Sequence, residues 1–144
     1  MTVRAAAIRL MGRTHRAVYR ASGGRVLGRV AGMPVLFLTT TGRRSGKRRT
    51  TPLTYFVDAD CLVVIASNGG EDTAPAWWLN LSSDPKATVT VDGVSRPVVA
   101  RSATDAEHAS LWPTIVATYP GYAAYARRTK RPIPVVLLCE PGAR

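Results

Sequence analysis

Acidic residues are missing from the first two-fifths of the chain. Residues 1–57 carry twelve Lys and Arg and no Asp or Glu, and the first acid is Asp58. The remainder holds eight bases against nine acids, so the formal net charge of +11 arises entirely before Asp58. Such asymmetry points to an anionic partner: nucleic acid, an anionic membrane surface, or a phosphorylated or polycarboxylate ligand. Long apolar runs are also missing. Stretches such as Leu62 to Ala66 fall far short of the roughly 20 residues that span a bilayer, and Arg9 cuts the apolar start at Ala5–Ile8 before a signal-peptide core can form. Cysteine is scarce. Cys61 and Cys139 are too few for a disulfide scaffold or a zinc site, and both sit in apolar strand-like runs. They read as buried free thiols of a soluble domain in a reducing compartment. The two histidines are far apart and no carboxylate cluster offers metal ligands. No metal site is expected, and hydrolytic or metal-dependent catalysis is disfavoured. A redox enzyme stays open, because there a cofactor carries the chemistry and the protein binds and orients it.

The remaining composition is that of an ordinary globular domain, with 144 residues, 46% hydrophobic and 20% charged. Residues 3–22 read as a basic amphipathic helix, with Arg4, Arg9, Arg13, Arg16 and Arg20 beside a stripe of Ile8, Met11, His15 and Val18. Gly23-Gly24 ends it, so residues 1–33 form a helix and linker ahead of a domain over 34–144. From Pro34 the pattern changes to strands. The run Val35 to Thr41 turns at Gly42–Gly46 and returns through Val57, and Asp58-Ala59-Asp60 leads into Cys61–Ser67. Asn68-Gly69-Gly70 closes that strand, and Pro75 opens a short helix with Trp77, Asn80 and Leu81 on one face. Thr88–Val91 meets Asp92-Gly93, a hairpin signal, and returns to Arg101. Thr104-x-x-Glu107 is a capping box for a helix. Pro113 and Pro120 are expected to divide the chain beyond that box into short helical pieces, and Pro134 marks the last strand, Ile133–Cys139, as an edge or a strand start. Six mostly antiparallel strands joined by tight turns favour an α+β fold built on a small, nearly closed barrel.

The densest chemical feature is the loop from Thr41 to Thr51. Arg43, Arg44, Lys47, Arg48 and Arg49 are cationic, Ser45 adds a hydroxyl, and Gly42 and Gly46 allow close backbone approach. The loop is not a P-loop, because only three residues separate the glycines, Lys47 is followed by arginine, and a strand comes next where a helix is required. Guanidinium forks suit phosphates and carboxylates, so a ligand with several anionic groups matches best. Nucleic acid is not expected, since the basic stretch up to Arg49 contains only Tyr19 and Phe37 as aromatic platforms. Two further segments suit a flat ring: the small residues that close the strand at Ile65, Ala66, Ser67 and Asn68, and the walls of Ala76-Trp77-Trp78. Tyr119, Tyr122 and Tyr125 stand at three-residue spacing, with phenols able to orient or protonate a carbonyl or quinone.

In combination, five segments resemble the deazaflavin-dependent nitroreductase family, also described as F420-dependent quinone reductases. They are Leu38–Gly46, Arg49–Leu53, Ala66–Gly70, Pro75–Leu81 and Tyr119–Tyr122, and the likeness runs from about Pro34 to Pro141. The resemblance implies a split β-barrel and a reduced deazaflavin, coenzyme F420, whose tail carries a phosphate and an oligoglutamate chain. It implies hydride transfer to a quinone or other small electron-poor acceptor, with nitroaromatic reduction incidental. Arg43, Arg44, Ser45, Gly46, Lys47, Arg48 and Arg49 would hold the tail. Pro52, Thr54, Ile65, Ala66, Ser67, Asn68, Ala76, Trp77, Trp78 and Tyr122 would line the ring, with Tyr122 and Tyr125 as catalytic residues on the substrate face. Two positions depart from the pattern, since members often carry lysine at the place of Asn68 and tyrosine at that of Trp78. The alternatives are an FMN-binding split barrel, whose ligand has a single terminal phosphate, and a non-enzymatic binder of anionic surfaces. Split barrels often pair, so a homodimer is within the expectation. So is a cytoplasmic protein held peripherally at the inner face of the membrane by residues 1–22.

Overall fold

The computed structural model describes residues 29–30 and 33–142; the helix expected over residues 3–22 lies outside them. The described residues form eight strands: β1 (Arg29–Val30), β2 (Met33–Thr41), β3 (Arg48–Thr54), β4 (Phe56–Asp58), β5 (Cys61–Ile65), β6 (Lys86–Val91), β7 (Val94–Ser102) and β8 (Val135–Cys139). Among the described residues the α-helices are α1 (Ala76–Ser83), α2 (Asp105–Thr118) and α3 (Gly121–Arg128), with a 3-10 turn at Asn68–Gly70. The hydrogen-bonded path runs β1-β2-β6-β7-β8-β5-β4, with β3 also on β2, and its pairings are antiparallel.

The ladder does not close into a ring, yet β3 and β4 at its two ends are consecutive pieces of chain separated by Tyr55 alone. Up to Thr54 the run pairs with β2, and from Phe56 it pairs with β5. At the change of partner the Tyr55 N–H donates to the Pro34 carbonyl at 3.2 Å. A sheet whose two ends meet in one bent strand is a split barrel. The six strands of the sequence reading become eight because this run divides at Tyr55 and because β1 joins the start of β2. β1 falls within the segment assigned to a linker, and Arg29 faces Pro34 in its register.

Period-two alternation sorts the core into two layers. Leu36, Leu38, Leu62, Val64, Val89, Val98, Val136 and Leu138 fill the barrel, where Trp77 and Leu81 of α1 join them. Val63, Ile65, Val135 and Leu137 face outward and are covered by Ile115 of α2 and Tyr122 of α3. All residues of β5 and β8 are therefore buried. The β6–β7 hairpin turns at Asp92 and Gly93 with φ of 50° and 81°, the left-handed pair that a two-residue turn requires.

Two expectations need correction. Cys61 and Cys139 are buried but not free: they form a disulfide with Cα atoms 4.4 Å apart. The β5–β8 register, with Leu62 opposite Leu138, puts the two cysteines across from each other. A count of cysteines carries no such information, whereas pairing of two distant strands does. Pro113 does not divide its segment, because α2 runs unbroken through it. Leu111, Trp112, Ile115 and Val116 pack on the outer layer around that proline, and this burial outweighs the roughly 3 kcal/mol that an internal proline costs. Of the two readings of Pro134 the strand start holds: it stands immediately before β8, which is not an edge, since it lies between β5 and β7.

The capping box holds as read. The Thr104 hydroxyl accepts from the Glu107 N–H at 3.2 Å, and the Glu107 carboxylate accepts from the Thr104 N–H at 2.9 Å. Arg101 donates to both oxygens of that carboxylate at 2.7 and 2.8 Å, which holds the Glu107 carboxyl down at about 2.

A carboxyl lowered from 4.5 to about 2 contributes stability that is present above 4.5 and lost as the pH falls toward 2. The stability advantage of wild type over Glu107→Gln, measured by urea denaturation, should therefore shrink across that window; a constant difference would contradict the assignment. The Cys61–Cys139 bond closes a sequence separation of 78 residues. Its loss in the Cys61→Ala/Cys139→Ala double variant should lower stability by roughly 2–5 kcal/mol, and thiol titration of denatured, unreduced wild type should detect no free thiol.

Candidate active site

The basic loop is built on two anchored arginines. Arg43 donates its backbone N–H and its guanidinium to the Asn80 side-chain oxygen at 3.1 and 3.3 Å. Asn80 is buried on α1, and its amide donates in turn to the Thr40 hydroxyl at 3.2 Å. Arg48 donates to the hydroxyls of Thr41 and Thr88 at 3.0 and 3.2 Å. The turn itself closes through Gly42 N–H to the Lys47 carbonyl and Gly46 N–H to the Gly42 carbonyl, both 2.8 Å, with Gly46 at φ 72°. The Ser45 hydroxyl accepts from the Lys47 N–H at 3.1 Å. Arg44, Lys47 and Arg49 are exposed and have no carboxylate partner among the described residues. The loop thus presents three unneutralised cations on a fixed base.

β3 leads away from this loop. Arg48 and Thr54 stand six positions apart, roughly 20 Å at the ordinary rise of a strand. Arg48, Pro52 and Thr54 share one face of it by alternation. At its far end the Thr54 hydroxyl is hydrogen-bonded to the Tyr122 hydroxyl at 2.8 Å. Tyr122 is only 7% exposed. The rings of Tyr119 and Tyr125 meet it edge-on at centroid distances of 5.0 and 5.9 Å, and Phe56 lies 6.3 Å away. Burial pushes the Tyr122 phenol above its ordinary value; the Thr54 hydrogen bond offsets part of this, and Tyr119 adds to it. The phenol is therefore protonated at neutral pH and retains a proton to donate.

The segment after β5 lies against α3. Gly70, at φ 83°, comes so near that an added Cβ would stand 3.1 Å from the Tyr125 Cα. Arg128 donates to the Gly69 carbonyl at 3.2 Å and sits 5.7 Å from the Tyr125 ring centre. Ile65, Ala66 and Ser67 are buried, while Asn68 is partly exposed at φ 47°, its amide donating to the Thr73 carbonyl. The Ala76-Trp77-Trp78 wall divides. Trp77 is 6% exposed and packs inside the barrel, Trp78 packs partly against the same layer, and Ala76 is exposed. The geometry joins Thr54 to Tyr122 and Tyr122 to Tyr125, and places Trp77 in the core. Asn80, Arg128 and Arg131 were not singled out for the site by sequence reading. Their polar partners lie far away in the chain, and only Asn80 left a trace, as a polar residue on an apolar helix face.

A family model described as F420H(2)-dependent quinone reductase matches residues 10–140. The chain belongs to the F420H2-dependent quinone reductase family. Its reductant is accordingly reduced coenzyme F420, and the match begins at residue 10, well ahead of Pro34. The chain is 38% identical over 130 residues to an F420H(2)-dependent quinone reductase of Mycobacterium tuberculosis strain H37Rv, covering 88% of this chain and 87% of the relative. Among solved structures, an F420-H2 dependent reductase is 34% identical with a TM-score of 0.66, covering 73% of this chain and 93% of that one. A structure described as a domain-swapped dimer is 31% identical with a TM-score of 0.69, covering 88% and 93%. Likeness to a pyridoxamine 5'-phosphate oxidase-like protein of Listeria innocua, at 11% identity and a TM-score of 0.53, extends to the fold alone.

In this reductase the Asn80 amide is the keystone of the loop base. Asn80→Leu leaves the buried Thr40 hydroxyl unpaired, so stability measured in urea should fall by about 1–3 kcal/mol. Coenzyme affinity should fall with it, because Arg43 loses its anchor; an unchanged denaturation midpoint would show that the pair contributes nothing.

Proposed function

We propose that this reductase transfers a hydride to a quinone, holding the anionic tail of the coenzyme at the basic loop and the acceptor at the tyrosines of α3. The observation that carries this reading is the run of β3, which leads from the basic loop at Arg48 to the Thr54–Tyr122 pair across roughly 20 Å, a span suited to an elongated ligand. The donor set fits a polyanion: three free cations, with Arg43 and Arg48 preset by Asn80, Thr41 and Thr88.

When bound, reduced F420 supplies two electrons and one proton as hydride, and one further proton completes reduction of a quinone to its quinol. Arg44, Lys47 and Arg49 bind the tail, with Ser45 and Gly46 shaping the turn. Pro52 and Thr54 of β3, Ile65–Asn68, Ala76 and Trp78 border the flat end, while Trp77 supports them from within the barrel. Tyr122 orients the acceptor oxygen and passes it the second proton, which the phenol regains from solvent once the quinol leaves, and Tyr125 shares that face. Developing negative charge on the oxygen is stabilised by such a donor. Thr54 sets the direction of the Tyr122 hydroxyl. The same reading includes a homodimer, supported by the 31% identical structure described as a domain-swapped dimer, and a cytoplasmic location, where the Cys61–Cys139 disulfide would be an exception to the usual reduced state. Contact of residues 1–22 with an anionic membrane surface is kept as a subordinate proposal resting on their arginines alone.

The reading is tested by titrating wild type, Arg44→Ala and Arg49→Ala with F420 of short and long glutamate tails, with FMN as competitor. Each arginine variant should bind about 1.5–3 kcal/mol more weakly, roughly ten- to a hundredfold, and the loss should grow with tail length. In stopped-flow oxidation of reduced F420 by menadione, Tyr122→Phe should slow turnover roughly ten- to a thousandfold with coenzyme affinity nearly unchanged. Binding of FMN in preference to F420, or losses independent of tail length, would overturn the reading of the loop. A wild-type rate in Tyr122→Phe would reduce that phenol to pocket wall.

A further inference from the structure

Arg131 lies just beyond α3 and makes no ion pair closer than 4 Å among the described residues. Its charge is spread over backbone carbonyls. One terminal nitrogen donates to Ala66 and Ser67 at 3.0 and 2.9 Å, Nε donates to Glu71 at 3.0 Å, and the other terminal nitrogen reaches the Pro132 carbonyl at 3.4 Å. Its own N–H donates to the Thr129 hydroxyl, which donates to Asp72 at 2.8 Å. Three of these acceptors bracket one segment, from Ala66 at the end of β5 to Glu71 past the 3-10 turn. The segment contains three consecutive residues, Asn68, Gly69 and Gly70, at positive φ; its own bonds, Gly70 N–H to the Ser67 carbonyl and Glu71 N–H to the Asn68 carbonyl, close only the turn, and the Ala66 and Glu71 carbonyls on either side of it are tied together by Arg131.

We infer that Arg131 is a positioning residue that fixes the Ala66–Glu71 segment as a preformed wall for the flat end of the coenzyme. The inference rests on the proposed role of Ile65–Asn68 in lining that end. A planar fork with five donors can serve carbonyls on both sides of the turn at once, which the compact ammonium of lysine cannot do. Carbonyls that accept from a cation also polarise their peptides, so the N–H groups of Ser67 and Asn68 become stronger donors. Without the fork, coenzyme binding must also order this segment, and affinity drops by that cost. Tyr122 is held by Thr54 and by packing rather than by this segment, so acceptor binding through it should be largely spared, whereas Tyr125 rests against Gly70.

Arg131 lines a cleft of about 550 Å³ together with His108, Trp112 and Pro132. The full chain carrying Arg131→Ala should therefore bind F420 roughly ten- to a hundredfold more weakly, while KM for menadione at saturating coenzyme stays within about twofold. Low-millimolar guanidinium should restore affinity and ammonium should not. Amide exchange in residues 66–72 of the coenzyme-free protein should accelerate, with the β6–β7 hairpin unchanged. Arg101→Gln, which breaks a different bidentate pair, should lower Tm without altering coenzyme affinity. If Arg131→Ala does not fold, Arg131→Lys carries the same expectations. A folded variant with wild-type affinity and unchanged exchange overturns the role of Arg131. Wild type that fails to bind F420 overturns the coenzyme reading, and this inference with it.

Discussion

A single run of chain, residues 48–58, serves as both ends of the sheet. Because β3 stays on β2 and β4 moves to β5, the sheet must curl until its first and last ladders meet at Tyr55. That curl creates an interior for Leu36, Leu38, Val64 and Val89 and an outer layer for Val63, Ile65 and Tyr122. The site inherits its geometry from the same run: a cationic turn lies before it, Thr54 stands next to the change of partner, and Phe56 just after it faces Tyr122. The straight part of this strand sets the distance between the two functional ends.

The arginines divide by what neutralises them. Arg101 meets a carboxylate, Arg131 meets carbonyls, and Arg43 and Arg48 meet an amide and hydroxyls. Each of these holds backbone or loop in place. Arg44 and Arg49 meet no described acceptor and remain available to an anion from outside. The large excess of positive charge therefore understates how much of it is structural: some of the cations build the site and others remain to occupy it. Exposed single pairs are weak in water, whereas a cluster on a rigid base acts on one ligand together.

Local signals were legible where short-range chemistry decides. The Asp92-Gly93 turn, the Thr104–Glu107 box and the shared face of Trp77, Asn80 and Leu81 all arise from residue types a few positions apart. The six-strand reading missed only the division at Tyr55 and the short β1. Pro113 misled because its penalty is local and the packing of Ile115 and Trp112 that overrides it is not. The disulfide was invisible for the same reason, since strand register brings Cys61 to Cys139 across most of the chain. At the site, loop and tyrosines stood out by composition, whereas Arg131 looked like one surface cation among Arg127, Arg128 and Lys130. Only the fold shows it spanning the turn.

The disulfide also settles how tension would distribute. A pull on the two chain ends passes from Cys61 straight to Cys139 and loads nothing between them. The covalent ring so defined contains the Ala66–Glu71 segment, α1 and the three tyrosines, while β2, the cationic turn and β3 lie on the loaded path. Stretched in the oxidised state, the molecule would load the cationic turn and β3 as far as Thr54, while the tyrosines themselves stay slack. Reduced, it would have no such division, and the same force would run through both.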